Sequence, residues 1–179
     1  VLIVGSFQSE STSTAIRLAS AIQFKNLCKT RWNVDAETED PVFSAISDDE
    51  KQAIRQQLVP VLVSLASAST PSQAILSQMN ESVALVASSD FPEAWPALID
   101  ELVSQLSTDN HHVLLSVLAT SHAIFKQWRS QFRSDALYSE INLVLGKMAN
   151  PLLELLQRMH GMLLDPVSYT HLTLPTTPY

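Results

Sequence analysis

Apolar positions along this chain recur at intervals of three and four residues, the period of helices buried on one face. Ile16, Leu18, Ala19, Ile22, Leu27 and Trp32 predict a first helix from about Ala15 to Trp32. Ile54, Leu58, Val61 or Leu62, and Leu65 predict a second, begun by Ser47 with Glu50 in the capping-box position. Ile75, Met79, Val83 and Val86 predict a third, from about Pro71 to Ser88. The most distinctive stretch is Asp90-Phe91-Pro92-Glu93-Ala94-Trp95-Pro96. Asp90 is expected to cap a fourth helix with Glu93 completing the box, so that Phe91, Trp95, Leu98 and Leu102 share a face. Pro92 and Pro96 suit only the start of such a helix, which fades by Ser107. Thr108-Asp109-Asn110 leads into a fifth helix, from His111 to about Phe132. Ser134 or Asp135 caps a sixth from about Leu137 to Leu164, where Gly146 and Pro151 predict a kink.

The second, fourth and sixth helices are centred near residues 57, 100 and 147. Those steps match the ~40–47-residue period of helical repeats that bury their faces only by stacking. The expected fold is all-α, an α-solenoid of stacked antiparallel HEAT-repeat helix pairs; an irregular helical bundle with accidental spacing is the alternative. Only three glycines occur, which argues against phosphate-cradling loops and hairpin-rich β structure. Apolar residues make up 46% and charged residues 16%, as in a folded domain. The net charge of −7 disfavours nucleic acid as a partner, and no apolar run reaches the ~18–20 residues of a membrane span.

Candidate chemistry is thin. Cys28 is the only cysteine and lies within a helical period, so it reads as a buried packing residue rather than a nucleophile. His112 and His122 are ten residues apart on one helix, which does not set them side by side for a metal. Asp100 and Glu101 are adjacent and point to different sides of their helix, so they do not form a shared acid–base site. No enzyme, cofactor or metal is expected. Lys25, Lys29 and Arg31, and again Lys126, Arg129 and Arg133, lie toward helix C-termini, where positive charge complements the dipole; a binding patch is the other reading. Asn26 is expected to bond the backbone of a neighbouring repeat, and Phe91, Trp95, Phe125 and Trp128 to be core.

Several of these segments, in order, resemble the importin-β (karyopherin-β) superfamily of nuclear transport receptors, and among them its exportins. The likeness begins with Ala21-Ile22-Gln23-Phe24-Lys25-Asn26 and Trp32, and continues through Asp90-Phe91-Pro92 and Trp95-Pro96. It is strongest over His112-Val113, then Leu118-Ala119-Thr120-Ser121-His122-Ala123-Ile124-Phe125-Lys126 and Phe132-Arg133-Ser134, and ends with Glu140 to Leu145 and Pro151-Leu152. It covers roughly residues 15–164, about two and a half to three HEAT repeats. Residues 1–14 do not resemble the apolar helix expected there. Residues 165–179 are set apart as well, because 167–179 look like an in-frame translation of a sequencing adapter, expected to be extended and unpacked.

The resemblance implies a piece of a longer superhelix that binds the small GTPase Ran in its GTP form and carries importin-α as cargo. It implies shuttling between nucleus and cytoplasm, with nucleoporins as further partners, and no membrane insertion. It also implies that the second helix of each pair lines the concave face, here Asp48 to Leu65, Glu93 to Leu106 and Leu137 to Leu164. Polar positions on those helices that point away from the apolar stripe are Gln52, Gln56, Asp100, Glu101, Ser104 and Glu140, the candidate partner-binding residues. A HEAT scaffold or another importin-β-type import receptor would share the fold.

Overall fold

The computed structural model describes residues 12–33 and 45–164. The start before Thr12, the acidic residues 35–40 and the tail 165–179 lie outside the described residues. Among the described residues six α-helices follow one another: α1 Thr14–Arg31, α2 Asp48–Ala66, α3 Gln73–Asp90, α4 Leu98–Ser104, α5 His111–Trp128 and α6 Asp135–Leu164. A 3₁₀ turn, Gln105–Ser107, extends α4, and no strand occurs among the described residues. The odd-numbered helices stack α1 on α3 on α5, while α4 bridges α2 and α6 in a second layer. Helix α2 also packs onto α3 and α5. This is the expected stacking of helix pairs.

Local side-chain chemistry sets three of the helix starts. The Ser47 hydroxyl accepts from the Glu50 amide at 3.4 Å, and Glu50 Oε2 accepts from the Ser47 amide at 3.2 Å, so the capping box of α2 is complete. The Ser47 bonds hold the exposed Glu50 carboxyl below its ordinary pKa. Asn110 caps α5 by accepting from the amides of His112 (3.0 Å) and Val113 (3.4 Å). Ser134 serves α6, its hydroxyl accepting from the Leu137 amide at 3.2 Å. In α1 the buried face is Ala21, Phe24, Cys28 and Trp32, with Ile16 and Ile22 turned to solvent. Helix α6 is one continuous element through Gly146 and Pro151, so neither residue interrupts it. Its outer side exposes Leu145, Leu153, Leu156 and Met159.

The fourth helix begins later than the sequence predicts. Helix α3 runs on through Asp90, and the Phe91 amide still donates to the Ala87 carbonyl at 3.0 Å. The Asp90 carboxylate does not cap a helix; it is turned to two other residues. Trp32 Nε1 donates to Oδ1 at 2.9 Å, and Arg55 Nη1 donates to Oδ2. What Asp90 gives the next segment is its backbone carbonyl, which accepts from the amides of Ala94 (2.8 Å) and Trp95 (2.9 Å). The Phe91-Pro92 peptide is cis, and Leu98 is the first residue of α4. The concave helix expected over Glu93 to Leu106 is therefore Leu98–Ser104 plus the 3₁₀ turn. Phe91, Trp95, Leu98 and Leu102 are nevertheless all buried, the aromatics reaching the core from a turn rather than from a helix face. Similarly, α5 stops at Trp128, short of the expected Phe132.

Repeat-to-repeat bonds are made by side chains other than Asn26, which is exposed. Asn33 Nδ2 donates to Ser89 Oγ at 2.7 Å, and Gln127 Nε2 to the Ala84 carbonyl at 3.1 Å. Arg158 of α6 donates to the carbonyls of Leu106 (2.8 Å) and Ser107 (3.0 Å), using the acceptors that the 3₁₀ turn leaves free. Asp90 is the most constrained of these ties, since its carboxylate joins α1, α2 and α3 and is 8% exposed. Asp90→Asn keeps an acceptor for Trp32 but strips the countercharge from Arg55, whose side chain is 16% exposed. We expect a loss of about 3 kcal/mol, read by chemical or thermal denaturation. A loss below ~1 kcal/mol would mean that the charge pair is not a support of the stack.

Candidate functional site

Three of the six candidate residues come together. Gln56 of α2 and Glu101 and Ser104 of α4 line one open groove of about 460 Å³, with Val59, Pro60, Val63, Ser64 and Gln105. The groove lies between neighbouring members of the even-numbered layer. Its α2 wall follows from helical spacing, since residues 56, 60 and 63 are one turn apart.

Two acceptors stand out along the groove. Pro60 lies inside α2 and has no N–H, so the Gln56 carbonyl loses the helical donor that any other residue at 60 would supply. Glu101 Oε2 is buried and has no hydrogen-bond partner. Burial raises the Glu101 carboxyl above its ordinary pKa, and a side-chain bond with Trp95 opposes part of that rise. An unmatched buried acceptor costs about 1–3 kcal/mol and is relieved by a donor arriving from outside. Val59 and Val63 add apolar lining on which the stem of a long side chain could rest.

The other candidates lie elsewhere. Gln52 is exposed one turn before Gln56, on the same side of α2 but beyond the groove. Asp100 faces α6, where Lys147 Nζ donates to Oδ2 at 2.7 Å, so Asp100 and Glu101 do point to different neighbours. Glu140 is turned toward α5 and accepts from Trp128 Nε1 at 2.8 Å, a structural bond that occupies one of its oxygens. Trp128 in turn stacks on Phe125 with centroids 4.9 Å apart, both half-buried. Pro60, Val59 and Val63 are groove residues that the sequence reading passed over. A proline in the middle of an apolar helical run was their one signal.

Cys28 is buried, and desolvation pushes its thiol up to about 12, which keeps it protonated and unreactive at neutral pH. Among the described residues no group of three His, Cys, Asp or Glu could hold a metal ion. No helix there is long and apolar enough to cross a membrane.

Comparison with known proteins gives this geometry a family. Residues 3–64 match the model of the importin-beta N-terminal domain, and residues 124–168 match the Cse1 model. The first match starts ahead of the Ala15 boundary read from the motifs. Exportin-2 of Danio rerio is 35% identical over 146 residues, 82% of this chain and 14% of that protein. The importin alpha re-exporter of Saccharomyces cerevisiae is 38% identical over 149 residues, 83% of this chain and 14% of the relative. A solved structure described as the exportin Cse1 in its cargo-free, cytoplasmic state superposes with a TM-score of 0.71 at 34% identity, over 87% of this chain and 16% of that one. The chain thus spans about one seventh of the length of the curated relatives it matches. With both family models, the ordered motifs and the stacked helix pairs in agreement, the chain belongs to the importin-β superfamily, in the family of exportin-2 and the importin-α re-exporters.

Proposed function

We propose that this chain is part of a nuclear transport receptor that binds Ran in its GTP form and helps return importin-α to the cytoplasm. The even-numbered helices form the concave, partner-facing layer, and the groove between α2 and α4 lies within the Ran-binding surface. The observation that carries this reading is the convergence of Gln56, Glu101 and Ser104 on one groove, in which a buried Glu101 oxygen lacks a hydrogen-bond partner. A surface of that kind selects a partner that brings donors, above all lysine or arginine side chains. Gln52 and Asp100 flank it and steer such a partner, while Glu140 acts at the α5 contact. The names of the relatives support importin-α as cargo. Shuttling between nucleus and cytoplasm, and contact with nucleoporins on the way, belong to the same proposal.

Nucleotide dependence follows because the switch regions of a GTPase change shape with the γ-phosphate, so a surface fitted to one shape rejects the other. Coupling to cargo is reciprocal: the factor by which Ran raises cargo affinity is the factor by which cargo raises Ran affinity. The test is a pull-down of the full-length receptor containing this sequence with Ran locked in each nucleotide state. Recovery with the GTP form only, and of importin-α only when that form is present, is expected. Equal recovery in both states would leave a HEAT scaffold.

Pro60→Ala sharpens the test, because it restores the missing donor to the Gln56 carbonyl without enlarging any side chain. It should leave the helix at least as stable while weakening Ran binding about fivefold. Unchanged affinity would remove the groove from the interface.

The raised Glu101 pKa also has a consequence for the free chain. Between the unfolded and folded pKa values the folded state holds more protons, so stability falls as pH rises through that window. Glu101→Gln should therefore be more stable than the parent at neutral pH. The gap should close as pH drops below the ordinary glutamate range. Thermal melts across that range check the sign, and a variant less stable than the parent at pH 7 would contradict it.

A further inference from the structure

The loop between α5 and α6 exposes a second surface, remote in chemistry from the groove. Phe132 is 90% exposed, the highest value among the large apolar side chains described as exposed. The residues on either side of Phe132 and Arg133 are hydrogen-bonded. The amides of Arg129, Ser130 and Gln131 donate to the carbonyls of Lys126 (3.3 Å), Gln127 (3.1 Å) and Trp128 (3.3 Å). On the far side, Ser134 accepts from Leu137 at 3.2 Å. Beneath the loop, the stacked pair of Phe125 and Trp128 is pinned by the bond from Trp128 to Glu140. The loop thus holds an aromatic ring in water on a hydrogen-bonded base.

Lys126, Arg129 and Arg133 surround that ring in sequence, and all three are exposed. None takes part in an ion pair among the described residues. Helix-dipole complementarity accounts for Lys126, in the last turn of α5, and for Arg129 at its C-cap. It does not account for Arg133, which stands two residues ahead of α6, at the positive end of that helix. Three cations that form no ion pair among the described residues, beside an exposed ring, give residues 126–134 a charge opposite in sign to the −7 of the whole chain. A partner attracted there must be negative and must cover an apolar ring. A bare polyanion meets the first requirement and fails the second.

We infer that Lys126, Arg129, Phe132 and Arg133 form a docking surface for an acidic protein segment that carries an apolar side chain among its carboxylates. The apolar side chain packs on Phe132 and excludes water, and the carboxylates pair with the guanidinium groups, where planar two-point hydrogen bonding favours arginine over lysine. The surface is separate from the α2–α4 groove and does not depend on the Ran reading.

The test is fluorescence anisotropy of the 179-residue chain with three labelled dodecamers. One is glutamate-rich with a central phenylalanine, a second has serine in place of the phenylalanine, and a third is a single-stranded RNA dodecamer used as a bare polyanion. The first peptide should bind most tightly and weaken with added salt. Phe132→Ala should reduce its affinity at least about fivefold while leaving the serine peptide unaffected. Arg129→Ser with Arg133→Ser should weaken both peptides. Since these side chains are exposed, circular dichroism should show each variant folded like the parent. Absence of binding to the first peptide, equal affinity for both peptides, or an affinity for RNA that matches the first peptide and ignores Phe132→Ala would each overturn the proposal.

Discussion

The carboxylate of Asp90 is the constraint on which the arrangement of the first two repeats depends. It sits at the end of α3, 8% exposed, and accepts from Trp32 at the end of α1 and from Arg55 in α2. A buried carboxylate is tolerable only with such partners, since desolvating an unpaired charge costs more than a domain of this size can spare. Asp90 lies inside α3 with its carboxylate turned to Trp32 and Arg55, and it does not cap α4. The chain turns instead on the Asp90 carbonyl, buries Phe91 and Trp95 in the turn, and restarts at Leu98. Helix α4 is short, Leu98–Ser104.

That shortness bears on the groove. Helix α4 has only seven residues before it tightens into the 3₁₀ turn, whose carbonyls are taken up by Arg158 of α6. The same short helix presents Glu101 and Ser104 to α2, while Asp100 is drawn the other way by Lys147. On the opposite wall, Pro60 removes one donor from α2 next to the place where Glu101 lacks one. Two local departures from ideal helix geometry therefore face each other across one cleft. Natural sequences retain such departures where a partner compensates for them.

How much of this could be read from the sequence depended on the reach of the interactions. The capping box of α2 was legible because Ser47 and Glu50 are three residues apart, and the cap of α5 because Asn110 bonds residues next to it. The role of Asp90 was not, because its partners lie 58 and 35 residues away and a helical wheel has no view of them. The same limit divides the candidate site. Gln56, Glu101 and Ser104 follow from helical spacing and do share a groove. Glu140 was placed by the same geometry, yet a half-buried tryptophan from the preceding helix holds it. Family likeness supplied the proposal of which layer faces a partner, something that spacing alone does not contain.

In the proposed function the layer formed by α2 and α4 meets the partner and the layer formed by α1, α3 and α5 does not. Hydroxyl-radical footprinting of the full-length receptor, with and without GTP-bound Ran, tests it most directly. Pro60 and Val63 in the groove, and Ile16 and Leu115 on the odd-numbered helices, are the reporters. The account predicts that Ran shields Pro60 and Val63 from oxidation and leaves Ile16 and Leu115 as reactive as in the free receptor. Shielding of Ile16 and Leu115 with an unchanged groove would contradict it.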